Sequence, residues 1–161
     1  MRLRTALIAV PAVLALAACG SNDSDTDVAA DDLTCPAART IDDPAVADAI
    51  NSVQIDGQVT AVRVTTDSDH PGEQGIAIDL CIIPTLSADE LRPIATEYAK
   101  AIKASPLADT TFAVWVENYA YNADQEIVGD VKLKDPHFQS NLWNGKPSAD
   151  AENARWEVLT G

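Results

Sequence analysis

An amphipathic helix followed by two strands is the pattern that most constrains the fold of this chain. The dipeptide Asp43-Pro44 forms a helix start, with a capping carboxylate and a proline at the first helical position, and apolar residues then share one face as far as Val53. Residues 57–66 and 75–83 are rich in β-branched side chains and predict two strands. The polar residues 67–74 between them predict a hairpin loop.

The same pattern follows a second time. The sequence Ser87-Ala88-Asp89-Glu90 has the form of a capping box, and apolar residues keep the helical period until Ser105-Pro106. Pro93 is awkward in this helix unless Asp89 rather than Ser87 is the cap, because the missing N–H then falls in the first turn and breaks no bond. Residues 110–117 and 126–134 predict a second pair of strands.

Helices and strand pairs that each have one apolar face bury those faces most simply against each other. We therefore predict an α+β fold of order αββαββ, a two-layer sandwich in which an antiparallel four-stranded sheet carries two helices on one face. Residues 34–161 would form this single domain, with an irregular tail after Asp135. Alternation along the third strand would point Trp115, Tyr119 and Tyr121 away from the helices.

These three outward-facing aromatic residues have two interpretations. The tail contributes Phe138, Trp143 and Trp156, and we expect these side chains to cover the outer face and build a second small core. If the tail left it uncovered, the outer face would offer flat apolar rings with polar handles to a glycan or to a partner protein.

The N-terminus has the features of an export signal. Arg2 and Arg4 are basic, and residues 6–18 form an uncharged run of 13 residues, short of the roughly 20 that a membrane-spanning helix needs. The run ends in Leu16-Ala17-Ala18-Cys19. Here the chain resembles the bacterial lipoprotein precursors, whose lipobox has the form Leu-Ala-(Ala/Gly)-Cys. The resemblance implies that residues 1–18 are removed as a signal peptide and that the Cys19 thiol receives a diacylglycerol.

The resemblance also implies a location. A lipidated Cys19 would anchor the chain at the outer face of the cytoplasmic membrane, or at the outer membrane of a host that has one, and a second acyl chain would make the anchoring stable. Residues 19–33 are small, polar and acidic, so we expect a flexible tether there. Richness in alanine, aspartate and valine with few lysines is typical of a high-GC host such as an actinobacterium.

Charge limits the partners. Removal of the signal would leave nine basic and 25 acidic residues, a net charge of −16. Nucleic acids and anionic lipid surfaces would repel such a chain, so we predict no nucleic-acid partner.

Two cysteines remain beside the lipidated one. Cys35 and Cys81 would both be exported, and an even number of cysteines outside the cytosol favours a disulfide. A redox or catalytic cysteine is the alternative. The chain has no Cys-x-x-Cys, however, and Cys81 falls in an apolar strand where a thiolate is disfavoured.

Candidate catalytic groups are few. The chain has no nucleophile elbow, no His-Glu-x-x-His pair and no glycine-rich phosphate loop. Asp79 and Glu117 would suit a glycosidase, since both are expected on the outer face near aromatic residues. One loop holds four possible metal ligands, at a spacing that matches no metal motif: Asp67, Asp69, His70 and Glu73. His137 is interpreted as a packing or surface residue. We predict neither a metal nor a cofactor.

The sequence thus predicts a lipid-anchored lipoprotein of the cell envelope, with a noncatalytic domain that binds a protein or an envelope polymer. Two alternatives stay open. One is a small cell-wall hydrolase that uses Asp79 and Glu117. The other is an exclusion or inhibitor lipoprotein that blocks a neighbouring envelope protein.

Overall fold

The structure is a computed structural model, and it describes residues 30–161. The predicted signal peptide, Cys19 and most of the predicted tether lie outside the described residues. Within these residues, three helices and five strands follow a short 3-10 turn. They are α1 (Pro44–Asn51), β1 (Gln58–Thr65), β2 (Gln74–Cys81), α2 (Ala88–Lys103), β3 (Thr111–Tyr121), β4 (Ile127–Asp135), α3 (Ala149–Asn153) and β5 (Glu157–Thr160).

The first two helices begin where their capping residues predict. The Asp43 side chain accepts hydrogen bonds from the backbone N–H groups of Ala45, at 2.8 Å, and Val46, at 3.1 Å, with Pro44 at the first helical position. In α2, Ser87 is the cap, and its backbone N–H donates to the Glu90 carboxylate at 2.9 Å.

The position of Pro93 differs from the arrangement that its chemistry favours. Because Ser87 rather than Asp89 caps α2, the proline lies inside the helix, beyond its first turn. The carbonyl of Asp89 therefore lacks the N–H donor that a residue four positions later normally supplies. The capping box and the continuous apolar face of α2 outweigh this one lost bond.

The α+β class is confirmed, but the four-stranded antiparallel sheet is wrong. The sheet has five strands in the order β1-β2-β3-β4-β5, and β2 pairs with β3 in parallel while the other three pairs are antiparallel. The physical reason is the helix between β2 and β3. A strand that returns to the same sheet through a helical crossover runs parallel to the strand that it left.

The tail is also more regular than predicted, since it contains α3 and β5. Three of the four residues of β5 pair with Lys132, Leu133 and Lys134 of β4. A strand this short is hard to detect from alternation alone.

One hydrophobic core lies between the sheet and the helices. The sheet contributes alternate residues such as Ile76, Ile78 and Val116, and the helices contribute residues such as Ile50 and Tyr98. All five side chains are fully buried. Because residues of a strand alternate between its two faces, the odd-numbered residues of β2 and β3 lie on the opposite face of the sheet.

Candidate functional site

The face of the sheet opposite the helices is the candidate site, and we call it the open face. Its side chains come from β1, β2, β3 and β4, and the register places them directly beside one another: Ala61, Arg63, Thr65, Ala77, Asp79, Trp115, Glu117, Lys132 and Lys134. Among the residues that the structure describes, no helix packs on this face.

The centre of the open face is a network of ion pairs. Arg63 binds both carboxylate oxygens of Asp79, and its Nη2 lies 3.9 Å from Oε2 of Glu117. On the other side, Nζ of Lys132 lies 2.7 Å from the same Glu117 oxygen. Asp79 and Glu117 are direct neighbours across the parallel β2–β3 pair. Two neighbouring carboxylates, on β2 and β3, are therefore flanked by a cation on each outer side, Arg63 of β1 and Lys132 of β4.

Two carboxyl groups have raised pKa values, one in this network and one beside it. Burial raises the pKa of Asp79 above its usual value, although the hydrogen-bonded Arg63 opposes the shift. Burial and the neighbouring Glu117 raise the pKa of Asp130, whose Oδ1 is buried without a hydrogen-bond partner. Both shifts arise because a charged carboxylate is disfavoured where water is excluded.

The structure brings Asp79 and Glu117 together, as the hydrolase alternative requires, but it binds both to cations. Arg63 holds Asp79, and Lys132 holds Glu117. Asp79 also lines a cavity that Glu117 does not line. This arrangement is typical of a structural ion network, because an acid and a base that act on one bond must both reach it.

The predicted aromatic face is divided into two parts by this network. Trp115 crosses β2 at Gly75, where an added Cβ would lie 2.6 Å from its ring, and Nζ of Lys134 lies 5.0 Å from the ring centroid. Tyr119 and Tyr121 lie farther along β3, with their ring centroids 5.9 Å apart in an edge-to-face arrangement.

The expectation that the tail covers these rings is wrong. Phe138, Trp143 and Trp156 are buried in the core on the helix side of the sheet. The indole N–H of Trp143 donates to Asp135 at 3.0 Å, and that of Trp156 donates to Thr96 of α2 at 3.0 Å. These hydrogen bonds give each buried indole N–H a partner inside the protein.

Tyr119 and Tyr121 line a cavity of about 400 Å³ on the open face, which we call the face cavity. This volume is within the roughly 300–1,000 Å³ of small-molecule sites. Burial raises the pKa of Tyr119, and the nearby Asp79 adds to the shift. The full lining is Pro36, Ala37, Ala38, Arg39, Thr60, Ala61, Arg63, Asp79, Tyr119 and Tyr121.

One wall of the face cavity is the segment 34–39, which comes before the first helix. Thr34 pairs with Tyr121 through two backbone hydrogen bonds of 2.8 and 2.9 Å. Cys35 is joined to Cys81, with Cα atoms 5.6 Å apart, as the disulfide prediction requires. The backbone N–H of Arg39 donates to the Thr60 carbonyl at 2.8 Å. These attachments hold this wall on the sheet.

The four loop residues with metal-ligand side chains take other roles. Asp67 accepts a hydrogen bond from the backbone of Asp69, and Nδ1 of His70 lies 3.1 Å from Glu73. The His70 ring stacks on Phe112 at 4.4 Å, and a second cavity of about 310 Å³ has both His70 and His137 in its lining. Within residues 30–161, no group of three or more histidine, cysteine or acidic side chains is placed to hold a metal ion.

Comparison with known proteins gives no further guide. No protein-family model matches this chain, and no curated protein or solved structure resembles it significantly. The function must therefore be inferred from the residues themselves. In the described part of the chain, no helix has both the length and the apolar character needed to span a membrane.

Sequence reasoning missed several residues of this site. The wall segment 34–39 has no helical or strand periodicity, so no sequence pattern marks Arg39 as a residue of the site. Asp130 and Lys132 lie in a predicted strand, but their contacts with Glu117 depend on strand pairing. The cysteine pair was the one available indication, since it predicts that residues near Cys35 lie beside β2.

Proposed function

We propose that this protein is a lipid-anchored lipoprotein of the bacterial cell envelope, and that its noncatalytic domain binds an envelope polysaccharide on the open face. The observation that carries the proposal is the face cavity. It combines the rings of two tyrosines with hydroxyl, guanidinium and carboxylate groups on a face that no described helix or tail segment covers. Carbohydrate ligands need this combination of flat apolar surface and directional hydrogen bonds.

A polysaccharide suits the open face better than a protein does. The cores of protein interfaces are depleted of lysine, aspartate and glutamate. The centre of the open face instead carries Arg63, Asp79, Glu117 and Lys132 in one network. Polar groups at the centre suit a ligand that offers hydroxyl groups across its whole surface.

The noncatalytic assignment rests on the carboxylates. Arg63 binds Asp79 on both oxygens, and the Asp79 side chain is only 4% exposed. A nucleophile or general base needs an accessible lone pair next to the substrate. The paired state of Asp79 and Glu117 therefore supports binding rather than hydrolysis.

The lipid anchor is tested by changing its thiol. We expect Cys19→Ala to abolish labelling by a radioactive or alkyne-tagged fatty acid and to leave the uncleaved precursor or release the protein from the membrane. Cys35→Ala is the matched control, because it removes a thiol that the proposal does not lipidate. Continued labelling of Cys19→Ala would refute the anchor assignment.

Polysaccharide binding is tested with the full-length protein purified in detergent. Wall material from the host is sedimented with wild type, with the double variant Tyr119→Ala/Tyr121→Ala, and with the control Leu142→Ala. Leu142 is 63% exposed and lies outside the face cavity. Loss of the two ring contacts should weaken binding about tenfold, which corresponds to about 1.4 kcal/mol of binding free energy.

Three results would contradict the proposal. The first is equal sedimentation of wild type and the double variant, provided that circular dichroism shows both folded. The second is recovery of a protein partner by wild type with no binding to wall material, which would favour the inhibitor alternative. The third is release of soluble sugar from the wall by wild type but not by Glu117→Gln, which would establish the hydrolase.

A further inference from the structure

The lining of the face cavity is locally positive in a strongly acidic protein. The whole chain has a formal net charge of −14. The charged residues that line the cavity are two arginines, Arg39 and Arg63, and one carboxylate, Asp79. Their formal charges leave one positive charge in excess at this position.

The single carboxylate of the lining is already neutralised. The Asp79 side chain is 4% exposed, and Arg63 donates to both of its oxygens. The Arg63 side chain is 51% exposed. Because a guanidinium group has five N–H donors, Arg63 keeps donors that Asp79 does not use. An incoming ligand therefore meets guanidinium groups more readily than it meets the carboxylate.

Arg39 is the cation that remains without a partner. Its backbone is fixed by the hydrogen bond to Thr60 and lies four residues from the disulfide-bonded Cys35. Its side chain is exposed, and among residues 30–161 it forms no ion pair. A charged side chain that lines the same cavity as two tyrosines, and that has no counter-ion within the described residues, is suited to a charged ligand.

We propose that the saccharide bound in the face cavity carries an anionic group, a carboxylate or a phosphate, and that Arg39 binds this group while the sugar packs on Tyr119 and Tyr121. The inference rests on the proposed polysaccharide binding. Arginine binds oxyanions through two parallel hydrogen bonds. The acidic protein repels an anionic polymer at long range, but charges more than about 8 Å apart are largely screened at physiological salt, and direct contacts are screened much less.

The probe is soluble polysaccharide released from the wall of the host, used in three forms. One is untreated, one has its carboxylates amidated with carbodiimide and ethanolamine, and one has its phosphate groups removed with cold hydrofluoric acid. Binding to the full-length protein in detergent is measured by isothermal titration calorimetry. We expect one of the two treatments to weaken binding about tenfold, and that treatment identifies the anion.

Two charge variants locate the contact. Arg39→Gln should weaken binding of the untreated polysaccharide about tenfold and leave binding of the neutralised form unchanged. Lys146→Gln is the matched control, since it removes one positive charge at an exposed residue outside the cavity. Arg39→Lys keeps the charge but loses the paired donors, so an intermediate affinity is expected.

The outcomes separate this inference from the function on which it rests. Equal binding of all three forms would overturn the anionic ligand and leave polysaccharide binding intact. Equal losses from Arg39→Gln and Lys146→Gln would also overturn it, because they indicate a general effect of net charge. Failure of every form to bind wild type would overturn both proposals.

Discussion

The disulfide between Cys35 and Cys81 should contribute a large share of the stability of the domain. It closes a loop of 46 residues, for which the chain-entropy model gives about 4 kcal/mol at 25 °C. Measured values usually fall below this figure because the reduced, unfolded chain keeps some structure. We therefore expect Cys35→Ser to lower the free energy of unfolding by about 2–4 kcal/mol, with a fall in Tm on the order of 10 °C.

Urea unfolding followed by tryptophan fluorescence measures this change. Trp143 and Trp156 are 4% and 3% exposed, so unfolding will change their environment strongly. Wild type treated with dithiothreitol and Cys35→Ser should give the same free energy of unfolding to within about 0.5 kcal/mol. Both should show a steeper dependence on urea than the oxidised protein, because an unfolded chain without the crosslink exposes more surface.

Cys81→Ser provides the internal control. Cys35 is exposed, so a serine there is solvated, whereas Cys81 is fully buried. Cys81→Ser should lower the free energy of unfolding by about 1–3 kcal/mol more than Cys35→Ser does, because it leaves a buried hydroxyl without a hydrogen-bond partner. Two results together would refute the disulfide: reduction changes the free energy of unfolding by less than about 1 kcal/mol, and the thiols of Cys35 and Cys81 already react with a thiol reagent before any reductant is added.

Three further predictions concern single side chains. Gly75→Ala should lower the free energy of unfolding by about 1–3 kcal/mol, because its methyl group would meet the Trp115 ring at a position without a positive φ. Unchanged stability in a urea melt would contradict this. The raised pKa of Asp130 contributes stability that is complete below its ordinary pKa of 3.8 and is lost as the pH rises through the folded value. Asp130→Asn should therefore stabilise the protein at pH 7 and not near pH 3, and equal effects in urea melts at both pH values would contradict this. Burial raises the pKa of Tyr98 to about 12, and its hydroxyl has no hydrogen-bond partner. Tyr98→Phe should therefore lower the free energy of unfolding by less than about 1 kcal/mol. In an alkaline absorbance titration, the variant should lack one tyrosine that titrates late.

The local elements of the fold were predictable because their causes are local. Asp43 and Ser87 cap their helices with their own side chains, and the alternation of β2 and β3 reports which residues face the helices. Strand pairing is not local. The sequence predicts α2, and a helix between two strands of one sheet favours a parallel pair. The antiparallel expectation was therefore wrong about how the strands pair and not about where they lie in the sequence.

The candidate site was predictable to the same extent. Alternation correctly placed Trp115, Tyr119 and Glu117 on one face, because that property needs only the strand itself. The side of the sheet that the tail covers was predicted wrongly, because three aromatic residues indicate that the tail is buried but do not indicate on which face of the sheet. Arg39 was missed because an irregular segment has no period, and its position depends on a disulfide and on hydrogen bonds across the fold.

The attachment of segment 34–39 also determines how the domain would respond to mechanical load. Tension applied from the N-terminal side enters the described part of the chain next to Thr34 and Cys35, which are joined to β3 and β2. These two strands lie inside the five-stranded sheet rather than at its edge. A pull through the proposed lipid anchor would thus load the Thr34–Tyr121 backbone pair and then the covalent Cys35–Cys81 bond, both in the middle of the sheet, before it reached the edge strand β1. If the proposed anchor and wall ligand are correct, such a domain would hold its ligand while the anchor moves with the membrane.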